Sequence, residues 1–198
     1  MVPDPSLYLS SCEFINSGHP AIRTAAASLR GDDVISSAKN CFEFVHDNIK
    51  HSSDFQQNPV TCRASDVLEH QTGYCYAKSH LLCALLRANQ IPAGLCYQRL
   101  SVDGDGAPFC LHGLNAVYLP EFGWYRVDPR GNRSDVHAEF SPPVEKLAFS
   151  TSMAGEADLE TIHVSPLQAV TTVLTQSTSW DDVLENLPDI DDTAPTAI

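Results

Sequence analysis

Apolar positions recur at helical spacing in the first half of the chain and alternate in the second. Ile35, Ala38, Phe42, Val45 and Ile49 lie three to four residues apart, which predicts an amphipathic helix over about 33–50. Gly31-Asp32-Asp33 stops a shorter helix, Pro20 to about Leu29, and supplies an N-cap for the longer one. Residues 1–18 read as extended or irregular, Phe55–Arg63 with Asn58-Pro59 as a loop, and Ala64–His70 as one or two helical turns. The strongest helical signal runs from Tyr76 to Asn89. Ala77, Leu81, Ala84, Leu85 and Ala88 form one stripe, and Leu82 and Leu86 widen it. A stripe that wide predicts a central, largely buried helix, ended by Ile91-Pro92.

The pattern changes at Ala93. Leu95–Val102, Phe109–Leu119 and Trp124–Asp128 read as strands, joined by Asp103-Gly104-Asp105-Gly106 and Pro120-Glu121-Phe122-Gly123 turns. Helices first and an antiparallel meander later predict an α+β domain. Pro142–Phe149 is weakly patterned and Leu167–Leu174 reads as a helix. The expected organisation is a main folded unit over 1–150, an extension over 151–187 packing on it, and an acidic, disordered tail over 188–198.

A chain of 198 residues suffices for a sizeable core. Its net charge of −13 is uneven: no Lys or Arg follows Lys146, whereas nine acidic residues do. The acidic excess argues against nucleic acid and anionic membrane surfaces as partners. The first residues lack a basic and apolar leader pattern, and no apolar run is long enough to span a bilayer, so a cytoplasmic location is expected. The seven cysteines contain no C-x-x-C pair, so neither a metal site nor a cofactor is indicated. Cys41, Cys83, Cys96 and Cys110 lie among apolar residues and read as small buried hydrophobes. Asp103-Gly104-Asp105-Gly106 reads as a hairpin turn rather than a calcium loop.

Gly73-Tyr74-Cys75 precedes the central helix, so Cys75 falls where unpaired backbone N–H groups and the helix dipole favour negative charge. Alternation places His112, Leu114 and Ala116 on one face of the second strand, and Trp124, Arg126 and Asp128 on one face of the third. His112 and Asp128 are symmetric about Pro120, so a hairpin centred there makes them cross-strand neighbours, with a slip of one or two residues left open. The carboxylate would accept the Nδ1 proton and orient the ring, and the central helix would bring Cys75 to it. The Cys75 N–H is a natural oxyanion donor, and Gly73 leaves room for substrate backbone. Tyr74 and Tyr76 flank the nucleophile, Tyr76 facing either cleft or core. Gly113 and Trp124 complete the expected cleft. Lys78 reads as a solvated helix position, and His80 as within reach of substrate.

The stretch from Gly73-Tyr74-Cys75 through Arg87-Ala88-Asn89-Gln90-Ile91-Pro92-Ala93 resembles the nucleophile block of the transglutaminase-like superfamily. Leu111–Tyr118 resembles its histidine strand, Trp124–Pro129 its aspartate strand, and Phe44–Lys50 the helix that often precedes them. The resemblance covers about 35–133, in bacterial-type stand-alone form. It implies a papain-like fold and a Cys75–His112–Asp128 triad. It also implies that Gln71, four residues before the cysteine, plays the oxyanion role of the papain-like glutamine. Two departures stand out. The oxyanion tryptophan that animal transglutaminases carry upstream of the cysteine is missing, and their β-domains and calcium sites exceed this length. The expected function is therefore hydrolysis of peptide or other amide bonds through a thioester. The alternatives are acyl transfer to an amine and an inactive binding module that keeps the fold.

Overall fold

In the computed structural model, which describes residues 3–190, the long central helix α5 (Cys75–Ala88) is buried from Cys75 through Arg87. It packs on one side against α1 (Pro20–Ser28), α2 (Val34–Asn48) and α4 (Ala64–His70). Its other side meets β3 (Ala93–Ser101) and β4 (Phe109–Leu119). Between the helices lie the short α3 (Ser52–Phe55) and a two-residue parallel pair, β1 (Lys50–His51) with β2 (Thr72–Gly73). The main sheet is antiparallel, in the order β5-β4-β3-β6, with β5 at Gly123–Val127 and β6 at Ala157–Asp158. Two further helices, α6 (Gln168–Gln176) and α7 (Trp180–Glu185), close the described chain. Among the described residues, no helix is long and apolar enough to cross a membrane.

Local chemistry explains the boundaries. Asp33 accepts from the Ser36 N–H at 2.7 Å in a capping box that starts α2. Pro20 opens α1, where its missing N–H costs nothing. The Asp103–Gly106 turn is held by Ser101 Oγ, which accepts the N–H groups of Gly104 and Gly106 at 3.0 and 3.1 Å. The fold is α+β, as the pattern predicts, with β4 at the predicted residues. Helix α3, both strands of the parallel pair, β6 and α7 were not signalled: each is too short to show a period.

Three expectations need correction. Lys78 is fully buried, not solvated; its ammonium donates to the Ile49 carbonyl at the end of α2, and burial pushes its pKa down to about 7. His80, within α5, is buried with Nδ1 against the Cys62 carbonyl at 2.8 Å and does not line the cleft. Cys110 is half-buried at a cleft rather than in the core. In the tail expected from residue 188, Pro188 and Asp189 are hydrogen-bonded to Leu111 and Arg99; residues 191–198 lie outside the described chain.

Candidate active site

Cys75 is the first residue of α5, so its N–H has no carbonyl one turn earlier in the helix to bond. The start of α5 lies close against β4. A Cβ on Gly113 would stand 3.0 Å from Tyr76 Cα and 3.3 Å from Tyr76 N, so only glycine admits this approach. The Gly113 N–H donates to Cys75 Sγ at 3.5 Å.

The β4–β5 register pairs Ala116 with Arg126 and Tyr118 with Trp124, two positions away from the arrangement symmetric about Pro120. A two-residue slip keeps every side chain on its face. Asp128, one residue past β5, therefore shares a face with His112 but sits diagonally from it. Diagonal neighbours are separated by roughly 7–8 Å at Cα, a span the distal ring nitrogen reaches. Accordingly His112 Nε2, not the expected Nδ1, meets Asp128 Oδ2, at 2.7 Å. Nδ1 is left free of the carboxylate, and the Cys75 sulfur lies near enough to favour a charge on the ring.

Asp128 is fully buried and takes two further bonds. The Arg130 N–H donates to Oδ1 and the Ala148 N–H to Oδ2, each at 3.1 Å. The Phe149 ring stands edge-on to the imidazole, with centroids 4.9 Å apart. Burial opposes a charge on His112, but the Asp128 carboxylate and the Cys75 sulfur outweigh it and hold its pKa up to about 10. Burial likewise opposes the Asp128 carboxylate, and the His112 charge with the three hydrogen bonds keeps it below its ordinary range.

A raised folded-state pKa contributes stability below the unfolded value of 6.5, and that contribution is lost as pH rises towards about 10. The stability gap between the wild type and His112→Gln, from urea unfolding at a series of pH values, should therefore be widest near pH 6 and narrow across this window. A gap that is flat or widens with pH would mean that the ring is neutral in the fold.

Cys75 and His112 open onto a cleft of about 670 Å³. Tyr74 lines it, its hydroxyl donating to the Trp180 carbonyl at 2.5 Å. Tyr76 lies between the expected alternatives: it borders the cleft floor, yet is buried with its hydroxyl on the Leu111 carbonyl. Gly73 is also buried. A Cβ there would meet Ala77 Cβ at 3.0 Å and Thr61 Oγ1 at 3.1 Å, so the glycine serves internal packing rather than substrate approach. Gln71 is exposed; it ends α4 in the left-handed conformation, its carbonyl accepts from the Lys50 N–H, and it does not line the cleft. The oxyanion role expected of its side chain has no support in this placement. Trp124 is placed elsewhere too. Paired with Tyr118, it packs on Tyr8 near the opposite end of β4, six residues from His112 and so about 20 Å along the strand.

Sequence reasoning missed several cleft residues. Phe149 and Ala148 belong to the weakly patterned stretch, and Leu184 and Leu187 to the extension. His51 also lines the cleft, opposite Gly73 in the β1–β2 pair, with its ring edge-on to Tyr74 at 5.4 Å. Its Nδ1 has no hydrogen-bond partner among the described residues; Asp54 stands 3.7 Å away. Burial, with Arg130 and Lys78 nearby, pushes its pKa well down, so it is neutral. A histidine just past a predicted helix was the one available signal.

A sequence model described as the transglutaminase-like superfamily matches residues 23–129, more than half of the chain. No curated protein matches it. Among solved structures, a candidate cysteine protease from Cytophaga hutchinsonii aligns with a TM-score of 0.52 at 20% identity, over 66% of this chain and 43% of its own. The periplasmic domain of TgpA from Pseudomonas aeruginosa aligns with a TM-score of 0.46 at 20% identity, over 64% and 48%. The chain thus spans less than half the length of either structure.

Proposed function

Because the chain belongs to the transglutaminase-like superfamily, we propose that Cys75, His112 and Asp128 form a catalytic triad that hydrolyses amide bonds of peptides through a thioester. The observation that carries the reading is the arrangement at the cleft: Asp128 on Nε2 of His112 at 2.7 Å, with that ring and Cys75 lining the same cleft.

The thiol proton rests on Nδ1 of His112, and the Asp128 carboxylate stabilises the resulting imidazolium. The sulfur attacks the acyl carbon, and the developing oxyanion receives the Cys75 N–H at the start of α5. As the tetrahedral intermediate collapses, His112 returns the proton to the leaving amine. Water, deprotonated by the same nitrogen, then cleaves the thioester. Three N–H groups converge on Asp128, from His112, Arg130 and Ala148, and hold the ring in one tautomer throughout.

The test incubates the full chain with glutamine-containing peptides, with and without a primary amine, and reads products and Cys75 adducts by mass spectrometry. Carboxylate product and an acyl group on Cys75 are expected. Amine adducts exceeding hydrolysis would make acyl transfer the principal reaction. No acyl group on Cys75 and no product of either kind would leave a binding module.

A further inference from the structure

Strand β5 stops at Val127, opposite Asn115, whereas β4 continues to Phe109. Along this remaining edge of β4, alternate residues present their N–H groups to the same side. Two of these groups are taken. Gly113 donates to Cys75 Sγ at 3.5 Å, and Leu111 donates to the Pro188 carbonyl at 2.7 Å. The two donors lie two residues apart, or about 6.6 Å along a strand. An extended peptide laid on this edge has the same two-residue repeat. With one carbonyl on the Leu111 N–H, the carbonyl two residues along would come level with the sulfur.

The segment that supplies Pro188 is anchored at both ends. Trp180 donates its N–H to Asn58 Oδ1 at 2.8 Å and receives the Tyr74 hydroxyl at 2.5 Å. Asp189 pairs with Arg99 through both oxygens, at 2.8 and 2.7 Å. Between these anchors Leu184 and Leu187 line the cleft that holds Cys75.

Building on the hydrolase reading, we propose that the β4 edge at Leu111–Gly113 is the binding track for an extended peptide substrate, and that Leu187-Pro188-Asp189 occupies it as a displaceable self-ligand. The occupant indicates the chemistry the track accepts: a backbone carbonyl for the Leu111 N–H, an apolar side chain where Leu187 sits, and an acidic one directed at Arg99. Substrate must displace the segment, so in the free chain the track that leads to the nucleophile is occupied.

The test reads access to Cys75 rather than turnover, which keeps it separate from failure of the hydrolase reading. Iodoacetamide labelling of each cysteine is followed by mass spectrometry in the full chain, in Asp189→Ala, and in the double variant Leu187→Asp with Asp189→Ala. Labelling of Cys75 should rise several-fold in both variants, while the buried Cys41 and Cys83 stay slow. A synthetic peptide of residues 184–190 should slow Cys75 labelling in the double variant, and a scrambled peptide should not. An unchanged Cys75 rate in both variants overturns the proposal, and so does a peptide without effect. Acceleration shared by Cys41 and Cys83 overturns it as well, because the segment would then serve only to hold the fold together.

Discussion

His112→Gln is expected to lower kcat for amide hydrolysis by about 10⁶, the scale of removing the base from a serine triad. Without the ring, the Cys75 proton loses its acceptor, and the leaving amine loses its acid. The fold should survive, because Asp128 keeps its bonds from the Arg130 and Ala148 N–H groups, and the glutamine amide can donate to Oδ2. Steady-state rates on an amide peptide, compared at equal folded fraction, measure the effect. A loss below about a hundredfold, under 3 kcal/mol of barrier, would assign the proton transfer to another group. His51 on the cleft wall would be the first to examine.

Arg87→Leu should have the largest effect on stability, about 3–5 kcal/mol, since it removes a buried donor from buried and part-buried carbonyls of three segments at ~1–3 kcal/mol each. Arg87 is only 1% exposed and bonds carbonyls from three separate parts of the chain. Its Nε and Nη2 reach Ala93 at 2.9 and 2.8 Å, Nη1 reaches Ser10 at 2.6 Å, and Nη2 also reaches Val164 at 2.8 Å. It thus ties the N-terminal stretch, the start of β3 and the segment before α6 to the end of α5. Relief from burying the guanidinium offsets part of the loss. Urea unfolding gives the difference directly, and a change below about 1 kcal/mol would mean that water replaces the guanidinium. Arg87 lies twelve residues from Cys75, about 18 Å along the helix. The folded fraction of the variant should therefore keep wild-type Cys75 labelling.

How far the site can be read from the sequence differs residue by residue. Cys75 was legible because helix periodicity and the Gly-Tyr-Cys block mark the same helix start. His112 and Asp128 were legible as a pair because strand alternation conserves face parity even when the register slips by two. Gln71 and Trp124 were misplaced for the converse reason. Their roles depended on distance along the chain, while their positions depend on a left-handed helix end and on the far end of a hairpin. Lys78 follows charged-residue statistics in sequence, but the carbonyls at the end of α2 give its ammonium a buried partner that no local pattern announces.

The sequence by itself determined the order of the long elements, a cysteine at the start of a buried helix, and the shared face of His112 and Asp128, because these follow from periods of 3.6 and 2 along a continuous chain. Only the tertiary structure decided which imidazole nitrogen meets the carboxylate, that Ala148 and Phe149 enclose the pair, and that Pro188 lies on the β4 edge two residues from the N–H that meets the sulfur. Those features join residues from 16 to 77 positions apart in the chain. They are set by strand register, loop path and packing, and none of these leaves a periodic trace in the residues concerned.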